Sequence, residues 1–399
     1  MHHSVKILFV HEVSWFNKVV YEMHDFPELL SLRGHQVHFL DYDEGTPRAR
    51  WKPVTTVESR AHQGSSVWVT TPPRLLPGML GRLLATIIQP LVFLQLLRSV
   101  RPDVVVCYSV PTSGWQIVKI CNLRKVPVVA RVIDVSHALR PTMFAPLVKL
   151  AERYVYQHAD AVSTHNEALR LYCLSLGADS ENCSIVYPGV DLVRFTPASL
   201  DRTLQRQLGI GQGDKVLLFM GTVFRFSGLY ELLTELSSAM SRDPSIKLLI
   251  LGDGEDLARI QHLATSLNIA KQVHAPGLID YQELADHLRL GTIALLPFQE
   301  GLVTHCALPN KVLQYLACGL PTIATRLKGL ESVIPNEAGL VYTSTAAEMA
   351  STATQLLTQL KLLSEMSSVG RQEVARLCDW PRQIDIFETL LTAQVRLNK

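Results

Sequence analysis

The sequence predicts an α/β protein built from two doubly wound parallel sheets, one in each half of the chain. Three observations carry that prediction. Short apolar runs alternate with helical segments nearly throughout, which signals parallel strands covered on both faces. The 399 residues are too many for one ordinary hydrophobic core. Each half opens on a strand that runs straight into a loop, Val10-His11-Glu12 in one and Met220-Gly221-Thr222 in the other.

Taken in order, the strands of the first half are expected at Lys6–Val10, Gln36–Tyr42, Ser66–Thr70, Asp103–Tyr108, Val126–Val132 and Ala161–Thr164. Those of the second half are expected at Lys215–Met220, Lys247–Leu251, Gln272–His274, Ile293–Leu296, Thr322–Thr325 and Gly339–Tyr342. Between the halves, Val186-Tyr187-Pro188-Gly189-Val190-Asp191 and Arg194-Phe195-Thr196-Pro197 have the composition of a hinge. The last segment breaks at Asp379-Trp380-Pro381 and resumes as an amphipathic helix able to cross back onto the first domain. The expected domains are residues 1–190, joined by the C-terminal helix 380–399, and residues 191–379. Ligands of an open parallel sheet sit outside the carboxyl ends of its strands, and two such sheets facing each other would form one cleft.

The stretch Ala307–Thr325 is the most informative in the chain. It reads as a short helix, a turn at Gly319-Leu320-Pro321 and the strand Thr322–Thr325. Pro309 suits a first helical turn, where its missing N–H needs no partner, and Gly319 suits the left-handed residue past the end. Val312, Leu313 and Leu316 make an apolar face, while Lys311, Gln314, Tyr315 and Cys318 fall on another. A helix N-terminus carrying a lysine after an irregular loop is a place for a phosphate. A plain amphipathic surface helix with a solvated lysine has the same pattern. The loop GTVFRFSG, Gly221 to Gly228, follows a strand directly and offers close backbone approach plus the charge of Arg225. Leu251-Gly252-Asp253-Gly254 is a second tight turn at a strand end.

A net charge of +2 argues against a general polyanion such as nucleic acid as partner. Residues 1–190 nevertheless carry 19 Lys and Arg against 15 Asp and Glu, and the remainder 19 against 21. A mildly basic first half is compatible with touching an anionic membrane surface. The seven cysteines are scattered, never arranged as CxxC, and lack metal-ligand spacing to a histidine. They fit a reducing, cytoplasmic compartment as small apolar residues. The first apolar run, Val5–Val10, is too short for a signal sequence. Leu75–Leu97 is the most apolar stretch, interrupted by Arg82, Gln89, Pro90 and Gln95 and flanked by Arg74, Arg98 and Arg101. No uninterrupted run reaches the roughly 18 apolar residues of a spanning helix. The stretch is therefore a buried helix or one lying in a membrane interface, which would make the protein peripheral on the inner face of the cell membrane.

RGHQVHFLDY (Arg33–Tyr42), ERYVYQHADAVSTHNEALRLY (Glu152–Tyr172), IVYPGVDLVRFTP (Ile185–Pro197), FMGTVFRFSGLYELL (Phe219–Leu233), LLILGDGEDLARI (Leu249–Ile260) and LPNKVLQYLACGLPTIAT (Leu308–Thr325) occur in this order over nearly the whole chain. Together they resemble the retaining family 4 glycosyltransferases of GT-B fold, in particular the branch with a P-x-K-x-x-E-Y signature that builds bacterial surface glycans. The resemblance implies two Rossmann-like domains and transfer of a sugar from a UDP- or GDP-linked donor to a glycan or lipid-linked glycan acceptor, with retained anomeric configuration. The donor would bind the C-terminal domain and the acceptor the N-terminal one. No metal or other cofactor is expected, because basic side chains and helix N-termini hold the pyrophosphate. The donor-side residues that the resemblance points to are Gly221, Thr222, Arg225, Gly252, Asn310, Lys311 and Gln314, with Lys18 from the first domain.

The departures from the family pattern matter as much. Where the family loop reads G-R-x-x-x-x-K-G, this chain has Thr222 and Ser227, so Arg225 and Lys311 are the candidates to supply the charge. The family's two glutamates, seven residues apart, correspond to Cys306 and Gln314. Gln314 retains a hydrogen bond to a ribose hydroxyl but not a charge-assisted one, and Glu300 is the candidate to reach the sugar. In the first domain, Asp134 and His137, within Arg131-Val132-Ile133-Asp134-Val135-Ser136-His137, are the candidates beside the acceptor, histidine being the residue type suited to proton traffic near neutrality. Lys18 would meet an anionic acceptor or the donor phosphate. The alternative reading is a nucleotide-sugar-binding protein of the same fold that has lost catalysis.

Overall fold

The computed structural model describes residues 4–42, 52–76, 78–108, 112–139 and 143–397. The chain divides into two compact units, residues 1–188 with 381–399 and residues 189–380.

Unit 1 is an eight-stranded sheet: β1 (Lys6–Val10), β2 (Gln36–Leu40), β3 (Val54–Glu58), β4 (Val67–Thr71), β5 (Val104–Tyr108), β6 (Val128–Arg131), β7 (Ala161–Thr164) and β8 (Cys183–Ile185). The spatial order is β3-β4-β2-β1-β5-β6-β7-β8. Only β3 runs antiparallel, paired with β4. β1 pairs with both β2 and β5, so the strand order reverses at the carboxyl ends of β1 and β5. Helices α1 (Glu22–Leu32), α2 (Gly78–Val100), α3 (Gly114–Arg124), α4 (Ser136–Leu139), α5 (Ala145–His158) and α6 (Glu167–Ser175) connect the strands. The terminal helix Trp380–Leu397 belongs to this unit through Phe387, whose ring lies 4.4 Å from Phe26 and 6.5 Å from Phe9. Its Glu388 accepts from Arg33 (2.7 Å) and sits 3.0 Å from His35 Nε2.

Unit 2 has six strands: β9 (Lys215–Met220), β10 (Ile246–Leu251), β11 (Val273–Gly277), β12 (Ile293–Leu296), β13 (Thr322–Thr325) and β14 (Leu340–Thr343). All are parallel, in the order β11-β10-β9-β12-β13-β14. The reversal here falls between β9 and β12. Leu217, Phe219, Leu248, Ile250 and Ile323 fill the face covered by helices Leu229–Arg242 and Ala346–Leu356. Both sheets follow the α/β, doubly wound class expected.

Three details correct the sequence reading. β3 and β8 were not expected, and the second strand stops at Leu40, short of the expected Tyr42, with the Asp41 carboxylate accepting from the Trp15 amide (3.2 Å). The apolar stretch begins its helix at Gly78, Pro77 lying outside the described residues, and is not a buried helix. Among its described residues Gly81, Gln89, Val92, Phe93 and Val100 are buried, and Leu80, Leu83, Ile87 and Leu91 are exposed. On the helix Asn310–Ala317, Pro309 is the N-cap, and Tyr315 with Cys318 is buried rather than on a wet face.

Candidate functional site

In unit 2 the loops after β9 and β10 are zipped together. Gly221 N–H donates to Leu251 O (2.8 Å) and Val223 N–H to Asp253 O (3.0 Å). This approach requires glycine. Gly252 has φ +150°, and a Cβ there would fall 2.1 Å from Gly221 O. Gly221 has φ +122°, and its Cβ would fall 2.4 Å from Lys311 Nζ. Lys311 is thus drawn over the end of β9, at the reversal point of the sheet. Its ammonium rests on the faces of Phe219 (4.5 Å) and Phe298 (4.8 Å). Burial alone lowers its pKa from 10.5 to about 7 because no carboxylate offsets the lost hydration. Tyr315 sets this position, since its buried Oη accepts from Met220 N–H (2.7 Å) and ties the helix to β9.

The remaining donor-side candidates are more exposed. Asn310 opens the helix, and Gln314 lies half-buried one turn on. Thr222 is exposed. Arg225 is exposed on a single turn between Phe224 and Phe226, whose rings stack at 5.2 Å. Gly228 does not leave room for a ligand, because a Cβ there would meet Pro297 O at 1.8 Å. Glu300 is exposed, 3.5 Å from His305 Nε2.

In unit 1 a cavity of about 940 Å³ opens at the carboxyl ends of β1 and β5. It brings together Lys18, Asp134 and His137 with His11, Glu12 and Tyr21. His11 stacks on Tyr108 (4.8 Å between centroids), accepts the Glu12 N–H at Nδ1 (2.9 Å) and lies 3.2 Å from Tyr21 Oη. Burial, then His24 and Lys18, lowers its pKa to about 3, so it is neutral. Glu12 accepts from the backbone N–H groups of Thr112 (2.8 Å) and Ser113 (2.6 Å) at the start of α3, yet burial still raises its pKa. The Asp134 carboxyl is raised to about 7, by burial first and then by Glu22.

His137 is held by groups that spacing along the chain does not reveal. Its Nδ1 lies 2.8 Å from Glu152 Oε2, and Tyr172 Oη donates to the same oxygen (2.9 Å). A carboxylate can only accept, so the proton sits on Nδ1 and Nε2 is left as the basic nitrogen. Glu152, Tyr172, Glu12 and Tyr21 were not singled out from sequence. The one available signal was an acidic residue on α5 (Glu152) at a position that turns out to be buried. Among the described residues no cluster of His, Cys, Asp and Glu has the arrangement of a metal site.

Two family descriptions match consecutive segments that cover most of the chain: Glycosyltransferase Family 4 over residues 23–194, and Glycosyl transferases group 1 over residues 214–359. The chain belongs to the family 4 glycosyltransferases of GT-B fold. Among curated relatives, this chain is 29% identical over 261 residues to a D-inositol 3-phosphate glycosyltransferase of Geodermatophilus obscurus, covering 61% of this chain and 55% of that protein. It is 32% identical over 197 residues to the Corynebacterium jeikeium protein of the same name, covering 46% and 45%. The matches span about half the length of these relatives. Among solved structures it is similar in fold to sucrose-phosphate synthase of Thermosynechococcus elongatus, with TM-score 0.78, 16% identity, and 98% and 100% of the two chains covered. Anabaena HepE solved with UDP-glucose gives TM-score 0.76, 14% identity, and 98% and 100% coverage.

Proposed function

We propose that the protein is a retaining hexosyltransferase that moves a sugar from a UDP- or GDP-linked donor to a glycan or lipid-linked glycan acceptor. The observation that carries this reading is Lys311. It is a cation drawn out of water onto ring faces, over a glycine at the reversal point of a parallel sheet. A diphosphate there meets the ammonium and the first N–H groups of helix Asn310–Ala317 together. As the glycosidic bond to the diphosphate breaks, negative charge grows on the leaving oxygen, and donors already in position lower the barrier without reorganising. The same donors make a metal unnecessary. Arg225 adds a mobile charge, Asn310 and Gln314 bind hydroxyls, and Glu300 reaches the sugar. That HepE was solved with UDP-glucose supports a donor of this class.

The unit 1 cavity takes the acceptor. His137, oriented by Glu152, presents Nε2 to an acceptor hydroxyl. Asp134, titrating near neutrality, shares the proton traffic, and Lys18 meets an anionic group on the acceptor or donor. The primary test is thermal stabilisation by UDP, GDP, ADP and TDP and then by their sugar forms, since selective binding to the native state raises the melting temperature by mass action. Transfer or hydrolysis of the labelled sugar, with the anomeric configuration of the product read by NMR, completes it. A second reading is a nucleotide-sugar-binding protein without catalysis, favoured by Thr222, Ser227 and Gln314 in place of charged residues. It predicts stabilisation by a nucleotide sugar that is never transferred or hydrolysed.

A further inference from the structure

Leu83 on α2 and Leu147 on α5 line the unit 1 cavity, and both helices carry further exposed apolar residues beside them. Along α2, Leu80, Leu83, Ile87 and Leu91 form one stripe at helical spacing and are 52–64% exposed. Across the cavity, Leu147 and Leu150 on α5 are 62% and 61% exposed, and Met143 just before it 86%. Trp115 and Leu139 on the cavity wall are also partly bare. Exposed apolar residues grouped along two helices, rather than scattered singly, mark a partner.

Charge identifies the partner. From residue 59 to residue 151 the chain carries two Asp and Glu against ten Lys and Arg besides the buried Arg131, in a protein of net charge only +2. α2 contains no acidic residue, and Arg98 continues its exposed stripe, seven residues beyond Leu91. Apolar residues interleaved with basic ones match an anionic lipid surface. The packing of α2 suits lying on such a surface rather than crossing it. Its window Leu80–Val100 has mean hydropathy 1.7 and is only 22% buried, but the opposite face is anchored in unit 1. Gln89 donates to His11 O (3.1 Å), Gln116 donates to Thr86 O (3.3 Å), and Phe93 is fully buried.

The cavity itself is amphiphilic in the same sense. Lys18, Arg74 and Arg82 line it together with Leu83, Phe144 and Leu147. We infer that α2, α5 and the segment before α5 dock unit 1 on an anionic bilayer, and that the cavity receives its acceptor from that bilayer as a lipid with an anionic head group. The second half of the inference rests on the reading of this cavity as the acceptor site.

The test is flotation of the full-length chain with vesicles of phosphatidylcholine alone and of an equimolar mixture with phosphatidylglycerol, run beside thermal stabilisation by UDP and GDP. The expected result is flotation with the anionic vesicles only, weakened by salt. Leu80→Glu with Leu150→Glu should lower the bound fraction on the order of tenfold or more, and Arg98→Gln about fivefold. Both variants should keep the nucleotide response of unit 2 and the wild-type near-UV circular dichroism and melting profile, which show that unit 1 still folds. No flotation of the wild type, or flotation indifferent to these substitutions, overturns the inference. So does a soluble dimer that the same substitutions dissociate, because the face would then bind a second copy. Flotation without any nucleotide response would sink the transferase reading and the acceptor half of the inference while leaving the docking surface standing.

Discussion

Two cations in this chain have been taken out of water, and they have been treated in opposite ways. Arg131 in unit 1 is fully buried and fully used. Its Nε and Nη2 meet the two carboxylate oxygens of Glu22 at 2.8 Å each, and its Nη1 donates to Ser163 Oγ (2.9 Å), Thr164 O (3.1 Å) and Val186 O (2.8 Å). Lys311 in unit 2 has only ring faces beneath it. A guanidinium with all three nitrogens engaged fastens β6 to α1 and to the end of β8, and serves the fold. An ammonium with an unmet demand for an anion is held ready for one. The comparison separates structure from function more sharply than residue type or burial alone.

The largest effect that sharpens this contrast is Arg131→Ala. Removing one partner of a buried, hydrogen-bonded pair leaves Glu22 charged and unpaired, a loss of about 3–5 kcal/mol. We expect unit 1 to melt far earlier or fail to fold, measured by calorimetry. Lys311→Met should do the reverse. It removes a desolvated charge with no counter-ion, so the melting temperature holds or rises. Stabilisation by the preferred nucleoside diphosphate should meanwhile fall by about ten- to a hundredfold in affinity, the ~1.5–3 kcal/mol of a hydrogen bond to a charged group. A large loss of stability in Lys311→Met with affinity intact would erase the distinction between the two cations.

The titration of Lys311 gives that contrast a direction in pH. Its folded pKa, about 7, lies below the ordinary lysine value, so the unfolded chain binds more protons between the two. The destabilisation it causes is complete below pH 7 and relaxes as pH rises toward the ordinary value. Bound diphosphate demands the protonated form, so affinity should fall as pH rises above about 7, and Lys311→Met should flatten that dependence. Isothermal titration at pH 6 and pH 9 reads the difference.

What was legible beforehand follows the same physics. β1, β7, β9, β12 and β13 stand at the bounds read from sequence because each is a short run of apolar, small or β-branched residues buried on both faces over nearly its whole length. β3, with the sequence Val-Thr-Thr-Val-Glu, is an antiparallel edge strand whose residues are largely exposed, so it carries no such run. α2 carries apolar residues on every side, with only a few polar ones among them, so periodicity cannot report which face meets the protein. Lys311 was visible as a lysine at a helix start after a loop. Its Phe219 and Phe298 platform was not, because the pieces come from three elements. The Glu152–His137 contact joins residues fifteen apart across two helices and exists only once α4 folds on α5. Its weight can be measured. Glu152→Gln keeps the shape of the side chain and weakens the hold on His137 Nδ1–H, so turnover should fall about tenfold with nucleotide affinity unchanged. A parallel fall in nucleotide affinity would remove His137 from the acceptor side.

The smallest expected effect tests how Lys311 is kept over Gly221. The ammonium itself makes no directional bond that would fix it there, so its position is inherited from the helix Asn310–Ala317, and that helix is tied to β9 through Tyr315 Oη and Met220 N–H. Tyr315→Phe keeps the ring and its burial but leaves the Met220 amide without an acceptor, which costs about 1–3 kcal/mol. In a unit of this size the melting temperature should drop by only a few degrees, about 2–4 °C per kcal/mol. If the tyrosine merely stabilises, nucleotide affinity stays where it was once the protein is folded. If it sets the ammonium over the strand end, affinity falls severalfold at temperatures far below the transition, and the fall is absent in the Lys311→Met background. The double-mutant comparison decides between these outcomes, because residues coupled through one position do not add.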